Sequence, residues 1–95
     1  MTTWCPRRDP SILFGALPDG SAVLCEPRSR RAYGINLTAA YIWQLCTGEE
    51  SVEDITARLL EDFDATPETV TPEIESLLND LVSRSLLEAP KPAST

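Results

Sequence analysis

The residue types that do chemistry are few in this chain, and their spacing narrows what they can do. Cys5, Cys25 and Cys46 are the three cysteines, none in a C-x-x-C spacing, and histidine is absent. A zinc site would have to be completed by carboxylates, so no metal site is assigned. Without histidine, a Ser-His or Cys-His nucleophile pair is also excluded. Acid–base chemistry would rest on carboxylates alone. The adjacent pairs Glu49-Glu50 and Glu61-Asp62 lie at polar positions with no histidine or lysine in support. No catalytic residue and no cofactor is expected, and the thiols read as reduced cysteines of a cytoplasmic protein.

Charge narrows the partners further. Eight Lys and Arg stand against fifteen Asp and Glu, a net of −7. Residues 1–35 hold five arginines and three acids, a net of +2. Residues 36–95 hold three cations and twelve acids, a net of −9. Duplex nucleic acid requires cationic charge to displace counterions, so no nucleic-acid partner is expected. Arg28, Arg30 and Arg31 form the one basic cluster, suited to steering an acidic partner or to a solvated turn. No apolar run reaches 18 residues, and no apolar segment follows the N-terminal arginines. Neither a membrane span nor a secretory signal is expected.

The elements that must position these residues follow from period and punctuation. Residues 1–10 read as a flexible arm rich in Thr, Arg and Pro. Ile12 to Leu17 is an apolar run ended by Pro18-Asp19-Gly20, where proline presets φ and glycine accepts a positive one. Ala22 to Cys25 and Ala32 to Ile35 are two more strand-sized runs, separated by Glu26-Pro27-Arg28-Ser29-Arg30. Together they predict a three-stranded antiparallel meander. The period then becomes helical. Asn36 is an N-cap ahead of Ala39, Ile42, Trp43 and Cys46, and Gly48 stops that helix. Ser51-Val52-Glu53-Asp54 resembles a capping box opening a second helix with Ile55, Leu59 and Phe63 at i, i+4 and i+8. Thr71-Pro72-Glu73 is expected to open the third helix, whose apolar stripe is Ile74, Leu77, Leu78, Leu81 and Val82. Leu86-Leu87 close the core, and residues 89–95 read as a disordered tail. The expectation is an α+β domain, winged helix-turn-helix-like, over residues 11–88.

On these residues the chain resembles the PqqD-like family. Tyr33-Gly34-Ile35-Asn36-Leu37-Thr38-Ala39-Ala40-Tyr41-Ile42-Trp43 is similar to its "aromatic-x-Leu-Asn-x-Thr-Ala-x-x-Ile-Trp" signature. Gly48 to Ile55, Asp19 to Leu24 and Val70 to Leu87 match further stretches in the same order. Ile35 replaces a leucine, and Ser85 replaces a helix-ending glycine. The resemblance implies a recognition element for ribosomally synthesised, post-translationally modified peptides. Such a domain binds the leader segment of a precursor peptide as an added strand, between the third strand and the third helix. It presents the peptide to a modifying enzyme, a radical SAM enzyme or a leader peptidase.

The residues themselves fit that mechanism. An edge strand exposes unpaired N–H and C=O groups, which an extended peptide can complete. The expected contact residues are Arg31, Ala32, Tyr33, Gly34 and Ile35 on the strand and Ile74, Leu77, Leu78 and Leu81 on the helix. Arg28 and Arg30 are candidates for electrostatic steering. Alternation puts Tyr33 and Ile35 on one face, and Ala32 and Gly34 on the other. Two alternatives compete: a non-catalytic subunit that binds an enzyme without peptide, and a winged-helix transcription regulator. The second needs a basic recognition helix, yet the third helix carries Glu73, Glu75 and Asp80 against Arg84.

Overall fold

The computed structural model describes residues 4–88. The expected tail at 89–95 and the first three residues of the arm lie outside them. Three strands, β1 (Leu13–Ala16), β2 (Ala22–Glu26) and β3 (Arg31–Ile35), precede three helices, α1 (Leu37–Leu45), α2 (Val52–Asp62) and α3 (Pro67–Ser83). The sheet is antiparallel in the order β1-β2-β3, so β2 is central and β1 and β3 are both edges.

Each turn is built from the chemistry its sequence offers. Gly20 takes φ +92° after Pro18-Asp19, and the Asp19 carboxylate accepts from both the backbone N–H and the hydroxyl of Ser21. Those two bonds favour the charged carboxylate and lower its pKa. The β2–β3 turn places Arg30 at φ 58°. Register then fixes the faces. Leu24 lies opposite both Phe14 and Tyr33, and Ala22 opposite both Ala16 and Ile35. Ala22 and Leu24 are buried, whereas Ala32 and Gly34 on the other face are exposed.

The helices cover the Leu24 face. Asn36 caps α1 by accepting from the Ala39 N–H at 2.8 Å, and the Ser51/Asp54 capping box closes reciprocally on α2. Ile42, Trp43, Ile55, Leu59, Ile74, Leu78, Leu81, Leu86 and Leu87 form the core with Leu24.

Two expectations are corrected here. The third helix begins at Pro67, not Pro72: Thr66-Pro67-Glu68 carries the same signature five residues earlier, with Pro67 in the first turn and Pro72 inside the helix. Burial of Val70 at 3% exposure is the reason, because it extends the stripe Val70, Ile74, Leu78, Leu81 back by one turn. The segment read as a loose arm is, from Trp4 onward, tied down. Pro6 is buried, and Trp4 packs on the core. Gly48 donates its N–H to the Pro6 carbonyl, Arg8 to that of Cys46, Asp9 to that of Leu86, and Glu88 to that of Arg7. The arm threads between the α1–α2 connection and the chain leaving α3, and each of those backbones satisfies the other.

Candidate functional site

β3 and α3 bound the site that the sequence singles out. β3 is paired on one side only, with β2. In such an edge strand alternate residues turn their N–H and C=O away from the sheet. Tyr33 and Ile35 are half-buried against the core, while Arg31, Ala32 and Gly34 are exposed. Gly34 is not held there by the fold: a Cβ built on it would meet nothing within 4 Å.

Beyond the end of β3 lies a cleft of about 620 Å³, walled by Asn36, Thr38, Ala39 and Ile42 on one side and Pro72, Glu73, Ile74, Ser76, Leu77 and Asp80 on the other, with Leu59 at its base. Sequence reasoning placed Ile74, Leu77, Leu78 and Leu81 on this wall. The structure brings Ile74 and Leu77 to it. Leu78 and Leu81 point inward, at 1% and 3% exposure, so in the unbound chain they are core. Leu77 is half-buried and offers the larger apolar surface to the cleft.

Arg84 is a member of the site that the sequence reading missed. Its guanidinium carbon stands 5.1 Å from the centroid of the Tyr33 ring, joining the end of α3 to β3. Asp80 holds its Nε at 3.1 Å from one turn back. The signal was present: Glu73, Leu77, Asp80 and Arg84 recur at three- and four-residue spacing, one face of a helix.

The arginines at the β2–β3 tip, Arg28, Arg30 and Arg31, are exposed, and among the described residues none is in an ion pair. The paired carboxylates are otherwise engaged: Glu50 with Arg58, and Asp62 as acceptor of the Tyr41 hydroxyl, whose pKa it raises. Among the described residues no group of three or more acidic or thiol side chains gathers as a metal would require. No helix among them is long and apolar enough to cross a membrane. Two further hollows, one near Arg8 and Phe14 and one between Leu37 and Phe63, do not touch β3 or α3.

This geometry suits the docking of an extended chain against an open strand edge, with a partly apolar cleft between α1 and α3 beyond the end of that strand.

Comparison with known proteins agrees with the sequence signature. Among curated proteins, none matches this sequence. Two solved structures share the fold. One is of TbiB1 in complex with the TbiA(beta) leader peptide, with a TM-score of 0.78 and 19% identity over 90% of this chain and 98% of that one. The other is of a lasso peptide synthetase B1 complexed with the leader peptide, with a TM-score of 0.77 and 24% identity over 90% and 99%. The family described as Coenzyme PQQ synthesis protein D matches residues 21–87, from the approach to β2 to the buried close after α3, and this chain belongs to that PqqD family.

Proposed function

We propose that this chain binds the leader segment of a ribosomally synthesised precursor peptide by strand addition along Arg31–Ile35. It thereby presents the remainder of the peptide to a modifying enzyme, a radical SAM enzyme or a leader peptidase. The observation that carries the proposal is the pairing of an open β3 edge with the Leu77 cleft. The family match and the leader peptides held by two proteins of the same fold support it.

Magnitudes assign the roles. Each backbone bond contributes about 1 kcal/mol net, whereas ordering each peptide residue costs about 1–2 kcal/mol. Backbone pairing therefore fixes geometry and does not by itself yield micromolar affinity, which needs about −8 kcal/mol. The surplus comes from apolar leader side chains entering the cleft, each contributing about 1.5–3 kcal/mol on full burial. Arg28, Arg30 and Arg31 act on association: exposed charges steer encounter and are screened by salt.

The test is a titration of the isotopically labelled protein with leader segments of short precursor peptides encoded beside its gene. Amide shifts confined to β3 and α3 are expected. Replacing Arg28, Arg30 and Arg31 with alanine should weaken binding mainly at low salt. Shifts clustered on α2, or no binding below about millimolar, about −4 kcal/mol, would sink the proposal.

A further inference from the structure

The two ends of the proposed docking groove differ in charge, and β3 gives that difference a direction. At one end stand four guanidiniums. Arg84 is fixed by two contacts, the Tyr33 ring at 5.1 Å and Asp80 at 3.1 Å. Those contacts use its π face and its Nε, and among the described residues neither Nη donates to a partner. Arg31 lies two residues from Tyr33 and so on the same face of β3. Arg28 and Arg30 stand exposed on the adjoining turn. Glu26 stands opposite Arg31, Asp80 holds Arg84, and the Asp9 carboxylate lies close enough to Arg28 to feel its charge. The end beyond Ile35 is different: the cleft there is lined by Ala39, Ile42 and Leu77, contains the carboxylates of Glu73 and Asp80, and has no basic residue in its wall.

A strand added antiparallel to β3 runs from the Ile35 end towards the Arg31 end. Its cleft-facing side chains recur every second residue. We infer that the leader carries an apolar anchor followed, two and four residues nearer its C-terminus, by carboxylates that meet Arg84 and Arg31. This rests on the leader-binding proposal and adds to it a substrate class and a direction. A guanidinium already held in place binds a carboxylate without first being ordered, and two of them on one face add geometry to charge. The reversed order would set carboxylates beside Glu73 and bring none to Arg31 or to the Nη groups of Arg84.

Two synthetic peptides of identical composition test this. Each has thirteen residues, capped at both ends, of alternating Thr and Ser with one Leu at position 7. The first has Glu at positions 9 and 11, the second at 3 and 5. Titration into the full chain, followed by amide shifts and fluorescence anisotropy, should favour the first peptide by about five- to tenfold. The preference should shrink in about 1 M salt, where screening acts within about 3 Å. It should collapse in Arg84→Gln with Arg31→Gln and persist in Arg84→Lys with Arg31→Lys. Equal binding of both peptides, with shifts on β3, overturns the charge order and leaves strand addition standing. A preference for the second peptide overturns the antiparallel direction. If neither peptide shifts β3 at millimolar concentration while encoded leaders do, the charge order fails alone; if encoded leaders also fail, so does the leader-binding proposal.

Discussion

Arg8 reaches back from the N-terminal segment to donate from Nη1 to the Trp43 carbonyl at 3.2 Å and to the Gln44 carbonyl at 3.0 Å. Helix α1 has no basic residue in its own last turn. The Gln44 carbonyl, and that of Trp43 beside the Cys46 N–H it already accepts, are thus met by a cation from 35 residues upstream, where the helix dipole favours positive charge. Arg8→Ala keeps the backbone bond to Cys46 but loses both side-chain bonds. It should cost about 1–2 kcal/mol. Denaturant unfolding should show the midpoint falling with an unchanged slope. An unchanged midpoint would mean that water caps the helix equally well.

Ser85 occupies a position that suits glycine. It follows the end of α3 at φ 62°, where its own N–H bonds to the Val82 carbonyl and the Leu86 N–H to that of Leu81. This is the Schellman arrangement, which turns Leu86 into the core. A left-handed non-glycine residue costs about 1–2 kcal/mol, and glycine returns about 0.5–1 kcal/mol of that as extra chain entropy. Ser85→Gly should therefore stabilise by roughly 0.5–1 kcal/mol, raising the melting temperature by about 2–8 °C in a domain this small. A lower melting temperature would show that the serine is held without strain.

Much of this fold was legible because local signals were consistent. Asn36 and the Ser51/Asp54 box name their helix starts, and Pro18-Asp19-Gly20 names its turn. Where two equal signals stand five residues apart, the pattern points to the wrong one. Thr66-Pro67 and Thr71-Pro72 are both cap-and-proline pairs, and only the burial of Val70 decides for the first. The arm was misread because Pro6 and Trp4 look like loop residues until the rest of the fold supplies their neighbours. The edge strand of the site was readable from the meander. The rotation of α3 was not: the period marks Ile74, Leu77, Leu78 and Leu81 as one stripe, and packing alone shows that Leu77 is its margin.

Cys46 should behave as a core residue and not as a nucleophile. Burial pushes its thiol up to about 12 from an ordinary 9.0, and its Sγ donates to the Ile42 carbonyl at 3.2 Å. At pH 8, iodoacetamide should label Cys46 only after unfolding, as read by peptide mass mapping. The linkage has a definite sign. Above pH 9 the unfolded chain loses the thiol proton and the folded chain keeps it, so the unfolded state binds fewer protons and stability falls as pH rises towards 12. The slope is at most about 1.4 kcal/mol per pH unit. The Tyr41 hydroxyl, raised by Asp62, pushes the same way, so the measurement is best made in Tyr41→Phe. Rapid labelling of folded protein at pH 8 would show that the site opens.

Leu77 and Leu78 are sequence neighbours with opposite duties, and separating them tests the site directly. Leu77 lines the cleft at intermediate exposure, while Leu78 is 1% exposed. Truncating Leu78 to alanine removes buried apolar volume and should cost about 2–5 kcal/mol. That is a large part of the ~5–15 kcal/mol that holds a typical domain. Whatever remains folded should bind a leader with unchanged affinity. Leu77→Asp sets a charge where an apolar leader side chain must enter, and desolvating it opposes docking. Binding should weaken by tenfold or more, about 1.4 kcal/mol for each factor of ten, with the circular dichroism spectrum retained. Glu61→Ala, exposed on α2 away from the cleft, should alter neither property. If Leu77→Asp binds a leader as well as the parent does while folded, the peptide lies elsewhere, and the cleft is only a seam between α1 and α3.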